Sequence, residues 1–312
     1  MKIFIAGATG VIGRSATAAL VQAGHLVTAT ARSSDKAALV QRLGARPVEV
    51  DLYDAVALRN AVAGHDAVLR LTTKIPPINS MRNAEAWKEN NRLRTEGARF
   101  LVDAALAETV PTYIHESVTF VYADGGSEWL SEESPVDANS KILQAALEGE
   151  QEAERFTSAG ARGIVLRFAG FYGPAAPSTT DMLKMAQKRM FPQVGPGTNY
   201  FSSIYVADAA TAVAAALLAP AGIYNVCDDE PVPFADYQRA LTDAVGAPRP
   251  LHLPAVLGKW MFGEVWNYFS RSQRVSNKKL KDATGWKPSV PSVREGALMT
   301  AKALGNDHQA AA

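Results

Sequence analysis

The stretch that decides the fold is KIFIAGATGVIG, residues 2–13. Its first half is a short apolar run, which is typical of a buried parallel strand. Its second half places three glycines at the spacing G-x-x-G-x-x-G, where a helix over 11–23 begins. The first glycine permits a tight turn, the second lets a pyrophosphate approach the backbone, and the third lets the helix pack closely on the sheet.

The start of that helix also offers free N–H groups to an anion. We therefore predict a dinucleotide-binding turn, the alternative being a glycine-rich turn without a ligand. The predicted cofactor-binding residues of this turn are Gly7, Thr9, Gly10, Val11, Ile12 and Gly13.

Outward from this unit, apolar runs alternate with helical segments. Further strands are predicted at 26–31, 46–51, 66–71, 112–117, 162–168 and 222–227, and further helices at 34–43, 54–63, 84–107, 139–158 and 206–218. This alternation implies right-handed parallel crossovers, and therefore an α/β fold with a Rossmann-type doubly wound parallel sheet of about seven strands.

The strand–helix alternation is lost in two segments. We expect residues 171–203 plus 231–312 to form a smaller C-terminal substrate lobe. The dinucleotide-binding domain then comprises residues 1–170 plus 204–230. The lobe would lie over the carboxyl ends of the strands, where open α/β sheets bind ligands.

Composition excludes several classes of protein. The 312 residues include 32 Lys and Arg against 31 Asp and Glu, so a strong basic field for nucleic acid is absent. The single cysteine, Cys227, excludes an intrachain disulfide and a multi-cysteine metal site. No apolar run has the length of a membrane span or a signal-peptide core. We expect a cytoplasmic protein that binds no metal, nucleic acid or membrane.

The end of the second strand predicts the cofactor. An NAD enzyme places an acidic residue there to hold the ribose hydroxyls. Here the chain has Ala31, Arg32 and Ser33, with Lys36 nearby. Because a guanidinium can pair with a 2′-phosphate, we predict that NADP(H) is preferred over NAD(H). The alternative is that Arg32 is a solvated loop residue.

Other motifs recur along the chain. They are D-L-x-D at 51–54, L-T-T at 71–73, N-x-x-x-T at 91–95, LRFAGFYGP at 166–174, IYVADAATAV at 204–213, YNVCDDEPV at 224–232 and LKDATGWKP at 280–288. With the glycine turn, they resemble the extended or atypical short-chain dehydrogenase/reductase superfamily, specifically the NAD-dependent epimerase/dehydratase family. The resemblance implies that Asp51 and Leu52 lie near the adenine. It also implies that Leu71, Thr72, Thr73 and Asn91 bind the cofactor.

The family's acid–base pair is missing from this sequence. The resemblance implies a tyrosine and a lysine at Y-x-x-x-K, often with a glutamate four positions further. Counting back from Glu150 places Ile142 and Ala146 at these positions. Alignment on Ser140-Lys141 instead places Asp137 at the tyrosine position. Neither register supplies the phenol that would move a proton.

The family's catalytic hydroxyl position is also apolar, because Val118 lies four residues before Tyr122. The candidate catalytic residues that replace the missing groups are Tyr122, Ser117, Thr119 and Lys141. His115 lies on the same strand face as Ser117, although a core histidine with a hydrogen-bond partner is the stronger interpretation.

Candidate substrate-binding residues lie at strand ends and in the C-terminal lobe. They are Lys74, Tyr172 and Arg274, and Arg70 also lies at a strand end. The resemblance to sugar-nucleotide enzymes implies that Arg274 could bind a diphosphate, although a solvated basic helix is an equal alternative. The aromatic stretch 254–274 is either a lobe core, a dimer contact or a lid over an apolar substrate.

These residues predict an NAD(P)-dependent oxidoreductase that transfers hydride to or from a small carbonyl, alcohol or enone, with a non-standard proton donor. The alternatives are a non-catalytic NADP(H)-binding sensor and a sugar-nucleotide epimerase or dehydratase. We also expect a homodimer through helices 84–107 and 139–158. The apolar stripe behind that expectation consists of Ile142, Leu143, Ala146 and Leu147.

Overall fold

The computed structural model describes residues 1–77, 80–140 and 143–310. Its strands are β1 (Lys2–Ala6), β2 (Leu26–Thr30), β3 (Arg46–Val48), β4 (Ala67–Arg70), β5 (Thr112–Val118), β6 (Trp129–Leu130), β7 (Arg162–Phe168), β8 (Gly170–Tyr172), β9 (Gln193–Val194), β10 (Tyr200–Phe201), β11 (Ser203–Tyr205), β12 (Gly222–Val226), β13 (Val232–Pro233), β14 (His252–Leu253) and β15 (Arg274–Val275).

Its helices are α1 (Val11–Gln22), α2 (Ser34–Arg42), α3 (Ala55–Val62), α4 (Ala84–Arg94), α5 (Glu96–Ala107), α6 (Gln144–Ser158), α7 (Pro177–Gln187), α8 (Val206–Ala216), α9 (Phe234–Ala244), α10 (Val256–Phe262), α11 (Trp266–Phe269), α12 (Lys278–Thr284) and α13 (Val293–Ala310).

Seven parallel strands form the central sheet in the order β12-β7-β5-β4-β1-β2-β3. Strand β1 pairs with β2 on one side and with β4 on the other, so Ile3 lies opposite both Val27 and Ala67. The chain order reverses at this point, which opens a crevice at the carboxyl ends of β1 and β4. The predicted Rossmann-type doubly wound sheet of seven strands is confirmed.

Buried apolar side chains on both faces of the sheet hold the helices in place. One face packs Ile3, Ile5 and Leu69 against α1 and α8. The other packs Phe4 and Val68 against α3 and α5. Alternate residues of β1 therefore point to opposite helix layers, as the period of a strand requires.

Two predicted helices have different bounds in the structure. The segment 84–107 is divided at Thr95, whose φ of −96° and ψ of −80° fall outside helical geometry. The predicted helix 139–158 begins only at Gln144, after a turn in which Leu143 N donates to Ser140 Oγ. A serine hydroxyl that accepts a nearby backbone N–H offers that N–H an alternative to a helical hydrogen bond, which favours a turn over a helix.

The C-terminal segment is more regular than the sequence indicated. It contains α9 to α13, and it has an apolar cluster of its own. This cluster consists of Tyr172, Leu183, Val232, Tyr237, Leu241, Val293 and Ala297. Strands β8 and β11 form a separate two-stranded parallel sheet. The exact division between the two predicted domains stays a prediction.

The described residues contain neither a membrane-spanning helix nor a cluster of metal ligands. None of their helices combines the length and apolar character needed to cross a membrane. Within the same residues, no three His, Cys, Asp or Glu side chains are grouped so that they could hold a metal ion.

Candidate functional site

The glycine turn forms a close contact between β1, α1 and β4. Gly7 has φ of +103°, and a Cβ atom there would lie 2.5 Å from the carbonyl oxygen of Leu71. A Cβ atom on Gly13 would lie 2.0 Å from the Gly7 carbonyl oxygen. Gly10 differs, because its Cβ position is 3.3 Å from the nearest atom and the residue is exposed. Gly7 and Gly13 therefore permit the close packing of α1 on the strands, whereas Gly10 is exposed at the start of α1.

The first turn of α1 has the donors that an anion requires. Gly10 caps the helix without a side-chain hydrogen bond, and no acidic residue lies in the first turn. Across the crevice, Thr72 Oγ1 is buried and has no hydrogen-bond partner within the described chain. Free helix N–H groups and an unpaired hydroxyl beside an open glycine fit a dinucleotide phosphate.

The end of β2 has no acidic residue at position 31. Ala31 is buried, whereas Arg32 is exposed and forms no ion pair or hydrogen bond with any described residue. Asp51 is exposed after β3, and its Oδ1 accepts the N–H of Tyr53 at 3.0 Å. Leu52 is 7% exposed and packs in the core. This side of the crevice therefore has a free guanidinium and an apolar wall.

The loop after β4 borders the other side of the crevice. Leu71 N donates to Ala6 O at 2.8 Å, and Thr73 and Lys74 are exposed. The backbone N–H of Lys74 donates to Asn90 Oδ1 at 3.1 Å. Asn90 in turn donates to Asn91 Oδ1 at 3.4 Å. The sequence indicated Asn91, but Asn90 is the residue that positions the loop.

Ser117 belongs to a buried ion-pair network. Its Oγ donates to Glu150 Oε1 at 2.5 Å, and Glu150 accepts two hydrogen bonds from Arg167, at 2.9 and 2.6 Å. Ser117 has no exposed surface. The catalytic role of Ser117 stays a prediction, and the hydrogen bond of its hydroxyl to a buried carboxylate favours a structural role instead. Thr119 is only 1% exposed and offers almost no surface to a substrate.

Two predicted tyrosines are core residues. Tyr122 is fully buried, and its hydroxyl donates to Asn225 Oδ1 at 2.8 Å. Burial raises the pKa of Tyr122 to about 12. Tyr172 is also fully buried, and its hydroxyl donates to the Ser292 carbonyl oxygen. The roles of Tyr122 as a proton donor and Tyr172 as a substrate ligand stay predictions, and the burial of both side chains favours structural roles instead.

A second buried charge network lies beneath the loop after β4. Arg70 has no exposed surface and donates to the carbonyl oxygens of Leu93, Glu116 and Thr72. Arg94 bonds the Glu116 carboxylate at 3.3 Å. Burial, followed by the charges of Arg70 and Arg94, holds the pKa of His115 well below its usual range. These buried groups link β4, β5 and α4 by hydrogen bonds and do not face the crevice.

The segment that replaces the family's acid–base pair lies at the start of α6. Lys141 and Ile142 are outside the described residues, so the predicted role of Lys141 stays a prediction. Ala146 is buried with Val121 and Leu143, and this cluster packs against Val118, Phe120, Leu147 and Tyr268. Leu143, Ala146 and Leu147, the described residues of the stripe behind the dimer prediction, thus pack within the chain.

Tyr268 was predicted only as part of an aromatic stretch. In the structure its hydroxyl lies 2.6 Å from Ser140 Oγ. Arg271 lies 5.2 Å from the centre of its ring and forms an ion pair with Asp137. No local sequence signal brings Tyr268 to this place, because the contact spans 128 positions.

Arg274 is held between two aromatic rings. Its guanidinium carbon lies 4.3 Å from the ring centre of Trp129 and 5.0 Å from that of Tyr200. Its Nε is buried and has no hydrogen-bond partner among the described residues. This stacking positions the guanidinium, and the predicted ligand role of Arg274 stays a prediction.

Comparison with known proteins identifies the family. A model of the "NAD dependent epimerase/dehydratase family" matches residues 3–227. The chain belongs to this family. A Streptomyces relative, "3-diazoavenalumate denitrifying reductase", is 34% identical over 95% of this chain and 99% of its own length. A second relative of the family, "2-alkyl-3-oxoalkanoate reductase" of Stenotrophomonas maltophilia, is 28% identical over 80% of this chain and 77% of its own.

A solved structure has the same fold. It is the human epimerase family protein SDR39U1 with NADPH, which superposes with a TM-score of 0.78 at 20% identity and covers 97% of this chain and 99% of its own. Together with the family match, the reductase relatives place the protein among the NAD(P)-dependent oxidoreductases. The family binds a nicotinamide cofactor.

Proposed function

We propose that the protein is an NADP(H)-dependent reductase of small aromatic or apolar carbonyl compounds. The observation that carries the cofactor preference is Arg32, which is exposed and unpaired within the described chain, beside a position 31 that lacks an acid. A guanidinium there favours a ligand with a 2′-phosphate. The NADPH bound to the human neighbour supports the same preference.

The crevice residues divide the binding of the dinucleotide between them. The N–H groups of Val11 and Ile12, beside Gly10, would hold the pyrophosphate. Arg32 would hold the 2′-phosphate, and Asp51 with Leu52 would border the adenine. Leu71, Thr72, Thr73 and Asn91 would border the nicotinamide ribose, with the unpaired Thr72 Oγ1 available to a sugar hydroxyl. Gly7, Thr9 and Gly13 would shape the turn.

The substrate would lie on the β5 side of the crevice. Aromatic rings line this side, since Phe120 packs at 6.2 Å from Phe201 and at 6.1 Å from Phe269, measured between ring centres. All three are half-buried, so they can exclude water and still contact an apolar substrate. Lys74 is exposed on the facing loop and could orient a polar substituent. Reduced nicotinamide, when bound, supplies hydride.

A second candidate substrate is an arenediazonium compound. The specific observation is that Val118 and Ala146 occupy an apolar cluster where the family has proton-transfer groups. Hydride transfer to an arenediazonium carbon releases N₂ and forms the C–H bond, so that reaction needs no proton. The name of the Streptomyces reductase supports this class of substrate.

The proposed function is tested by binding first and turnover second. NADPH and NADH are titrated into the protein by fluorescence, and NADPH oxidation is then followed with aromatic aldehydes, enones and an arenediazonium salt. We expect tighter binding of NADPH and oxidation with at least one carbonyl compound. Tight binding without oxidation by any compound would instead support the sensor, and a retained sugar nucleotide would support the epimerase.

We also propose a homodimer through α4, α5 and α6. With Leu143 and Ala146 packed inside the chain, the outer faces of these helices carry Arg99, Asp103 and Arg155, which form exposed ion pairs. Such a contact would be polar and salt-sensitive. Light scattering at low and high salt tests it, and a monomeric mass at low salt would reject it. The cytoplasmic location stays a prediction.

A further inference from the structure

Tyr268 reaches the β5 side of the crevice from the C-terminal segment. It lies on α11 and packs against the cluster of Val121, Leu143 and Ala146. Val118, the last residue of β5, packs against the same cluster. Tyr268 is half-buried, so packing against this cluster holds its ring while part of the side chain stays exposed. A phenol therefore lies close to Val118 and Ala146, which stand at the positions of the family's catalytic hydroxyl and lysine.

We propose that Tyr268 is the catalytic proton donor for carbonyl reduction, an inference that rests on the proposed function. The dinucleotide runs across the switch point of the sheet, with its adenosine toward β2 and its nicotinamide toward β4 and β5. Tyr268 lies on the nicotinamide side. The aromatic wall of Phe120 and Phe269 adjoins it, since Phe120 packs against the same cluster and Phe269 follows Tyr268 in the chain.

Ser140 is the positioning residue for Tyr268. The two hydroxyl oxygens are 2.6 Å apart, and Ser140 Oγ also accepts the N–H of Leu143 at 3.3 Å. A serine hydroxyl has one proton and two lone pairs, so Ser140 can accept from Leu143 and donate to Tyr268. In that arrangement the phenol proton is free for a substrate. The donated bond also stabilises the phenolate that remains after proton transfer.

The other tyrosines predicted near this edge cannot take the role. The hydroxyl of Tyr122 is committed to Asn225, and that of Tyr172 to the Ser292 carbonyl oxygen. Both side chains are fully buried. Tyr268 combines partial exposure with a hydroxyl partner that is itself able to pass on a proton.

The proposed step reduces a carbonyl compound to an alcohol. The carbonyl carbon gains the hydride supplied by reduced nicotinamide, and the π bond of the carbonyl breaks toward oxygen. That oxygen takes the proton of Tyr268 Oη, which completes the alcohol. The Tyr268 phenolate regains a proton from Ser140 Oγ, and Ser140 from water. The carbonyl compound is reduced by two electrons, and the nicotinamide is oxidised by two.

The experiment compares Tyr268→Phe with the matched control Tyr224→Phe. The Tyr224 hydroxyl donates to Pro220 O, at the opposite end of β12 from the crevice. We expect Tyr268→Phe to lower kcat for the best aromatic aldehyde by about 10²- to 10⁴-fold, the usual effect of losing a general acid. NADPH affinity and the thermal unfolding midpoint should stay unchanged. Ser140→Ala should lower kcat less, and Ser140→Thr should restore it.

A spectroscopic measurement tests the contact without turnover. Tyrosine is labelled with ¹³C at the ring carbon that bears the hydroxyl, and the Tyr268 signal is assigned by its loss in Tyr268→Phe. We expect the alcohol product, added with NADP⁺, to shift the Tyr268 signal and leave the Tyr224 signal in place. An unmoved Tyr268 signal would overturn the inference.

The outcomes separate the two proposals. Carbonyl turnover that survives Tyr268→Phe as it survives Tyr224→Phe overturns the role of Tyr268 and leaves the reductase standing. Reduction of the diazonium salt alone, with no carbonyl turnover in the unmodified protein, overturns the role of Tyr268 together with the carbonyl substrate class, and it supports the second candidate substrate. Failure to bind either nicotinamide cofactor overturns the proposed function and the inference together.

Discussion

Ser117 Oγ donates a 2.5 Å hydrogen bond to Glu150 Oε1, and the same carboxylate is held by Arg167 from β7. A serine at the end of β5 is thus engaged by a buried structural carboxylate. Glu150 lies four positions after Ala146, at the glutamate position of the family pattern. Through its bond to Arg167 it joins α6 to the sheet.

Ser117→Ala should reduce stability without reducing turnover. A hydrogen bond to a charged group contributes about 1.5–3 kcal/mol, and its loss leaves one carboxylate oxygen with a single partner. Urea unfolding measures the change, with Ser131→Ala as the control because Ser131 is exposed. A large loss of kcat with unchanged stability would restore Ser117 as a catalytic residue.

Tyr122→Phe should likewise affect stability and not chemistry. The change leaves Asn225 Oδ1 buried without its donor, which costs about 1–3 kcal/mol. Thermal unfolding and NADPH oxidation are measured on the same preparation. If kcat fell sharply while the unfolding midpoint held, Tyr122 would be the proton donor after all.

Gly10→Val should weaken cofactor binding and spare the fold. Gly10 has extended backbone geometry that valine can adopt, and its Cβ position lies 3.3 Å from the Gly7 carbonyl oxygen, a tight contact that a shift of a few tenths of an ångström relieves. The valine side chain would then occupy the phosphate surface. Fluorescence titration should show at least about tenfold weaker NADPH binding, or about 1.4 kcal/mol. Gly13→Ala is the contrasting variant, since its Cβ would overlap the Gly7 carbonyl and destabilise the protein. Undiminished affinity in folded Gly10→Val would contradict the proposed phosphate site.

Arg32→Ala should weaken NADPH binding selectively. Removal of one charge-assisted contact to a 2′-phosphate costs about 1–3 kcal/mol, whereas NADH has no such group. Both cofactors are titrated at low and high salt. Arg42→Ala is the control, because Arg42 is an exposed arginine at the other end of α2. Equal affinities of the unmodified protein for NADPH and NADH would reject the preference.

The stability of the protein should fall as the pH drops below about 6.5, the ordinary pKa of histidine. Burial and the charges of Arg70 and Arg94 lower the pKa of His115, so it stays neutral in the folded state. The unfolded chain then binds one more proton, which costs up to about 1.4 kcal/mol per pH unit. His115→Gln should flatten this slope in urea unfolding across pH, while exposed His252→Gln should not. An unchanged slope in His115→Gln would remove His115 as the cause.

The sheet and the glycine turn could be predicted because their signals are local. An apolar run of four residues, Ile3 to Ala6, and glycines three positions apart specify β1 and the start of α1 without reference to the rest of the chain. The break at Thr95 is a local change of backbone dihedral angles, and the late start of α6 follows a hydrogen bond of the Ser140 side chain. Helical periodicity reports neither of them.

The site was less predictable, because its contacts join distant residues. Ser117 meets Glu150 across 33 positions, Tyr122 meets Asn225 across 103, and Tyr268 meets Ser140 across 128. The residue types at a strand end show that polar groups are present. The residue types do not show whether those polar groups face the crevice or bond to one another. A serine that faces the crevice can be catalytic, whereas one that bonds a buried carboxylate is structural.

The Glu150–Arg167 pair links α6 to the sheet through two buried opposite charges, in addition to apolar packing. Both groups are buried, so α6 cannot lift from β7 without leaving a guanidinium charge uncompensated in the interior. Local separation of α6 from β7, with the rest of the protein folded, is therefore strongly disfavoured. Amide protons of α6 and β7 should exchange with solvent together, in one cooperative event. The apolar cluster of Val121, Leu143 and Ala146 beside Tyr268 should open only when the sheet does.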